Sequence, residues 1–114
     1  MMPSRYRLRS ARSFDVIYKR GKSVSCDSLV VVSLPSRYSV PKVGFVVSKK
    51  VGKAVVRNKV KRRLREAFYA LIPQVKKGYN YIVLARNRAA ELDYHALSSD
   101  LRTLLQKAGK LQLA

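Results

Sequence analysis

The chain has little with which to build a protein-side active site. Its 114 residues include one cysteine, Cys26, one histidine, His95, and six acidic residues. A single cysteine excludes an internal disulfide framework, and a packed thiol in a reducing compartment is its ordinary role. His95 has no cluster of Cys or His around it from which a metal site could be assembled, and reads as a surface helix residue. The carboxylates are scattered and form no paired constellation for acid and base work. No apolar run approaches the roughly 18 residues of a membrane span. The basic N-terminal residues have no apolar segment behind them, so no secretory signal is expected there. Gly52 is a single glycine without the G-x-x-x-x-G-K-[ST] pattern of a phosphate loop, which argues against nucleotide binding.

What the chain has in excess is positive charge. Lys and Arg number 25 against the 6 acids, a net charge of +19. Such an imbalance repels itself in a compact state and attracts phosphate backbones or anionic lipid. With no membrane span, a cytoplasmic nucleic acid is the expected partner; a small-molecule substrate and a membrane are not. Hydrophobic residues make up 47%, enough for a core, and the length suits one domain over residues 1–114.

The charge is concentrated between Lys49 and Arg65, which hold nine cations and no acid: Lys49, Lys50, Lys53, Arg57, Lys59, Lys61, Arg62, Arg63 and Arg65. A disordered basic tail needs no apolar spacing, yet Val56, Val60, Leu64, Ala67 and Leu71 recur at helical intervals and form one stripe. The spacing predicts a helix that docks by this stripe, with Lys61, Arg62, Arg65 and Glu66 on the opposite side. Crowded cations on neighbouring turns cost a few tenths of a kcal/mol per pair. A solvated face is the bland reading of such a row; a polyanion outside the chain is the reading that the overall charge favours.

The remaining elements follow in order. Residues 1–9 form a basic arm without a period, expected to be mobile. Ser10 caps a helix over 11–20, with Gly21 at its C′ position; Phe14, Ile17 and Tyr18 share one face of it, suited either to core packing or to stacking on unpaired bases. Strands are predicted at 22–25, 28–34 and 40–47, the last two joined as a hairpin through the 35–41 segment. Gly44 in mid-strand implies a bulge or a close approach. The basic helix ends near Ile72, before Pro73. A strand at 79–86 follows, placed parallel to the preceding strand by the intervening helix. Asp93 caps a last helix over 94–108, with Leu97, Leu101, Leu104, Leu105 and Ala108 inward. The order α-β-β-β-α-β-α is that of an α+β sandwich with one sheet of about four strands.

This order, with V-G-F-V-V-S-K-K-V-G-K-A-V-V-R-N-K-V-K-R-R-L-R-E-A-F at Val43 to Phe68, resembles the protein subunit of bacterial ribonuclease P over nearly the whole chain. The resemblance implies a mixed sheet with a left-handed β-α-β crossover, and an endoribonuclease that removes the 5′ leader from precursor tRNA. It places the active site and its Mg2+ on the RNA subunit, with no catalytic residue, metal or tightly bound cofactor on the protein. It assigns contact with the catalytic RNA to Lys49, Lys50, Lys53, Arg57, Asn58, Lys59, Lys61, Arg62 and Arg65. The family's Arg-Asn-Arg motif reads Arg57-Asn58-Lys59 here, exchanging a forked guanidinium for a point charge. A cleft for the single-stranded leader is implied at Arg12, Phe14, Tyr18 and Val32, where some relatives carry a further aromatic in place of Val32. A ribosomal protein or general RNA chaperone would be equally basic and is the alternative; a protein-only nuclease is poorly supplied with carboxylates.

Overall fold

The computed structural model describes residues 2–112. A helix α1 spans Ala11–Arg20, strands β1 Lys22–Ser25, β2 Leu29–Pro35 and β3 Lys42–Val47 follow, then helix α2 Ala54–Leu71, strand β4 Tyr79–Ala85 and helix α3 Tyr94–Lys107. Short 3-10 turns lie at Ser4–Tyr6, Lys49–Val51 and Asn87–Glu91. The expected element order therefore holds, in an α+β fold around one mixed sheet.

The sheet order is β1-β2-β4-β3. β2 pairs antiparallel with β1 and with β4, and β3 pairs parallel with β4. The hairpin expected between β2 and β3 is not formed, because β4 inserts between them and takes the hydrogen bonds of both. Periodicity identifies the strands; it carries no signal for a later strand claiming the central position. The parallel crossover through α2 is as expected.

Alternation along the strands sends two sets of side chains to opposite faces. Leu29, Val31, Val43, Tyr81, Val83 and Ala85 meet α2 and α3 in the main core, where Val60, Leu64, Ala67, Phe68, Leu97 and Leu101 are buried. Phe68 packs edge-on to Phe45 at 6.1 Å and tilted to Tyr81 at 5.8 Å between centroids. The Tyr81 hydroxyl, its pKa raised by burial, donates to the Lys76 carbonyl oxygen at 2.7 Å and ties β4 to the turn before it. On the other face Val32 and Ile82 receive Ile17 of α1 in a smaller cluster. Gly21 ends α1 with φ −74°, so the left-handed cap expected there is absent. What requires glycine is closeness: a Cβ would overlap the Ile17 carbonyl oxygen and the Val32 side chain.

The N-terminal segment also differs from the free arm read in the sequence. Met2 is buried in the main core, Arg7 bridges Val43 in parallel, and the Leu8 amide donates to the Val43 carbonyl oxygen at 3.0 Å. β3 is an edge strand with unpaired backbone groups, and this segment pairs with it at Val43. Met2 and Leu8 anchor it at single points, which a search for periodicity does not detect.

Candidate nucleic-acid interface

The three helices begin differently. Ser10 accepts from the Ser13 amide at 3.3 Å and Asp93 from the Ala96 amide at 2.9 Å, so α1 and α3 are capped. At α2 the cap position holds Lys53, with no side-chain acceptor and no acid in the first turn. Its first amides and the positive end of its dipole are left for an acceptor from outside. Exposed Lys49, Lys50 and Lys53 surround that end.

Along α2 the apolar stripe is buried as the spacing predicts, with Val60, Leu64 and Ala67 each at 1% exposure or less. The cations are arranged more specifically than a row on the far side. Asn58, Lys59 and Arg62 are exposed, whereas Arg57, Lys61 and Arg65, four residues apart, are half-buried along the flank nearer β3. The Arg57 Nε is buried without a hydrogen-bond partner. Arg63 turns toward the protein, its guanidinium donating to the Leu92 carbonyl oxygen at 3.0 Å. Arg65 pairs with no acid: the ion pairs among the described residues are Lys19–Asp15 at 3.1 Å and Arg88–Glu91 at 3.4 Å.

On the other face of the sheet, α1 crosses the strands. Ile17 sits over Val32 and Ile82, and the Phe14 ring lies on Gly44 so closely that a Cβ there would overlap it. Gly44 is therefore a close approach within an unbroken register, not a bulge. Helical spacing puts Phe14 and Tyr18 on one flank of α1 and Ser13 with Val16 on the other. Beside the Phe14 flank the register aligns Val30, Leu84 and Val46 across three strands, and all three are half-buried. Register and helical spacing thus set a strip of half-buried aliphatic side chains beside the flank of α1 that carries the two rings, and the angle between strip and helix is the furrow. Tyr18 is 45% exposed, and what burial it has raises its hydroxyl pKa.

Two placements depart from the expected cleft. Val32 is 5% exposed beneath α1 and presents almost no surface. Arg12 lines a recess with Ser13 and Val16, on the flank away from Phe14 and Tyr18. Arg7, by contrast, is not singled out by sequence reasoning, since it lies in a segment without a period. It lines a recess of about 160 Å³ with Phe14, Phe45, Lys61 and Arg65, so the aromatic and cationic surfaces meet around the edge of β3. Among the described residues no three His, Cys, Asp or Glu side chains are grouped to hold a metal ion, and no helix is long and apolar enough to cross a membrane.

A small basic α+β domain with an uncapped cationic helix beside an aromatic furrow suits a polyanion with unpaired bases. Comparison with known proteins narrows this class. The family model for ribonuclease P matches residues 2–109, and the chain belongs to the ribonuclease P protein family. It is 42% identical over 112 residues to the ribonuclease P protein component of Symbiobacterium thermophilum, covering 97% of each chain. It is 43% identical to that of Clostridium botulinum strain 657, over 90% of this chain and 94% of the relative. The solved ribonuclease P proteins of Staphylococcus aureus and Thermotoga maritima share the fold. The first superposes with a TM-score of 0.87 at 32% identity, covering 94% of this chain and 98% of that one. The second gives 0.82 at 34% identity, covering 89% and 96%. Membership places the chain in a ribonucleoprotein of tRNA processing whose activity is endoribonucleolytic.

Proposed function

We propose that the chain is the RNA-binding protein subunit of ribonuclease P, using two surfaces. The flank of α2 and the turn before it, from Lys49 to Arg65, bind the catalytic RNA. The furrow beside Phe14 and Tyr18 holds the single-stranded 5′ leader of precursor tRNA, and the two together favour release of the leader from the mature 5′ end. The observation that carries this reading is the start of α2, which has no side-chain cap and lies amid cations that form no ion pair among the described residues. Family membership is what separates it from a ribosomal protein or general RNA chaperone, which composition allows equally.

The chemistry is assigned to the RNA subunit and its Mg2+; the protein supplies affinity and position, in the cytoplasm. If it neutralises about six to ten phosphates, affinity falls roughly 10³- to 10⁵-fold between 50 and 200 mM salt, by analogy with duplex DNA. Leader bases stacked on the rings add about 1–3 kcal/mol each with little sequence preference, which suits a subunit that meets many leaders. The recess shared by Arg7, Phe14, Lys61 and Arg65 supports a continuous track from furrow to ridge.

The test is cleavage of precursor tRNA by a cognate ribonuclease P RNA at low Mg2+, with and without the protein. The protein is expected to raise the cleavage rate and the affinity for leader-bearing substrate. No gain in either would overturn the reading.

A further inference from the structure

The other flank of α1 carries a second cationic and aromatic surface that neither the ridge nor the furrow includes. Ser13 and Val16 face a recess of about 330 Å³ whose lining includes Arg12, Arg37, Tyr38 and Asn80. Around Leu34 and Pro35, which line both, a second recess of about 150 Å³ is bounded by Arg20, Lys22, Tyr79 and Lys110. None of the six acidic residues lines either one.

The cations here are drawn onto rings. Val75 bridges Leu111 antiparallel, which sets Lys76 beside Lys110. Their ammonium groups stand 5.4 and 4.4 Å from the centroid of the Tyr79 ring. Lys42 likewise lies 5.0 Å over the Tyr38 ring, and Tyr38 is 52% exposed. Two ammonium groups near one ring repel each other, and among the described residues neither forms an ion pair. Asn80 lines the larger recess, and its Oδ1 is buried without a hydrogen-bond partner among the described residues. Rotation of that amide would present an acceptor and a donor side by side, the pair that matches a base edge.

We infer that this surface binds a second unpaired stretch of RNA, separate from the one assigned to the furrow. Arg12, Arg37 and Lys110 meet its phosphates, and Tyr38 stacks on a base. A duplex would satisfy the charge but would offer no base face to Tyr38. α1 stands between the two surfaces, so a strand lying in the furrow does not cover this one. The segment comes either from the distal part of a long leader or from the catalytic RNA, and both present the same chemistry.

Site-specific crosslinking decides the matter. Full-length protein with benzoylphenylalanine replacing Tyr38, Tyr18 or Ser99 is assembled with the catalytic RNA and with precursor tRNA bearing a short or a long leader. Ser99 is the control, being exposed beside Asp27 and Asp100. The Tyr38 position is expected to crosslink nucleotides different from those reached from Tyr18. Crosslinks only with the long leader identify the leader as the source; crosslinks without substrate identify the catalytic RNA. A yield no higher than from Ser99, or the same nucleotides as from Tyr18, would overturn the inference. The furrow reading is judged separately by the Tyr18 arm. Arg37→Ala with Lys110→Ala is expected to flatten the salt dependence of binding to the crosslinked RNA by roughly 0.7 for each single-strand phosphate no longer neutralised, with the fold retained. An unchanged slope in a folded variant would also overturn it.

Discussion

Helices α2 and α3 lie side by side on the same face of the sheet and are held there by the same means. Val60, Leu64, Ala67, Phe68 and Leu71 of one, and Leu97, Leu101, Leu104 and Leu105 of the other, are buried. Away from that stripe they differ in their caps and in how densely they carry charge. α3 is capped by Asp93, and its Asp100 accepts a hydrogen bond from Ser28 at 2.6 Å, so its acids are spent on the fold. α2 has no capping side chain and carries cations that, Arg63 apart, find no partner side chain or carbonyl within the described residues. Packing and hydrogen bonding thus account for the buried stripe and the acids of α3, but only for the stripe of α2. The remainder of α2 answers to something outside the chain.

The likeness between the two helices breaks if they prove unequal as scaffold. Leu64→Ala and Leu101→Ala, both at fully buried positions, are each expected to cost about 2–5 kcal/mol in urea unfolding. A much smaller loss at Leu64 would mean that α2 is not fixed by its stripe in the absence of RNA. α1 extends the contrast to the substrate. Tyr18→Ala is expected to remove about 1–3 kcal/mol of affinity for leader-bearing precursor tRNA and to leave mature tRNA binding unchanged, as read by competition binding. Phe14→Ala should show the same selectivity with some loss of stability added, because its ring also packs on Gly44. Equal loss for both substrates would make these rings core residues only.

The caps sharpen the contrast at a smaller scale. Asp93→Ala is expected to lower stability by about 1 kcal/mol. Lys53→Asp should raise stability by a few tenths of a kcal/mol to about 1 kcal/mol, by supplying the missing acceptor and an anion at the helix start. It should weaken binding to the catalytic RNA at the same time. Thermal melts and filter binding on the same preparations check both halves. A stabilised variant with undiminished RNA affinity would separate the uncapped end from function.

What is legible in the sequence is what rests on local signals. The helix over 54–71 and its inward stripe are readable because 3.6-residue periodicity is local, as are the Ser10 and Asp93 caps. That Gly44 marks either a bulge or a close approach is readable too, but the choice between them, and the Phe14 ring as the partner, come only with the fold. Strand order is not legible: β2 and β3 are close in sequence, yet β4 separates them. Nor is the docking of residues 2–8, which rests on Met2 and Leu8 and on the open edge of β3. Among the candidate site residues, resemblance puts Val32 and Arg12 in the cleft; burial beneath α1 removes the surface of the first, and the far flank of the helix holds the second. Arg7 lies in a segment without a period, and Phe45 reads in the Val43 to Phe68 stretch only as a strand residue, so neither stands out in the sequence as a site residue although the two share the recess that joins the surfaces.

The most direct test of the account is the salt dependence of binding to the catalytic RNA for three proteins: the unaltered chain, Lys59→Ala/Arg62→Ala on α2, and Arg102→Ala/Lys107→Ala on α3. All four side chains are exposed, and stability is expected to stay within about 0.5 kcal/mol in both variants. The account predicts that the α2 pair lowers the slope of log affinity against log salt by roughly 0.9 for each phosphate no longer neutralised, while the α3 pair follows the unaltered chain. Equal slopes for the two variants would show that net charge alone, and not the helix that carries it, governs the binding.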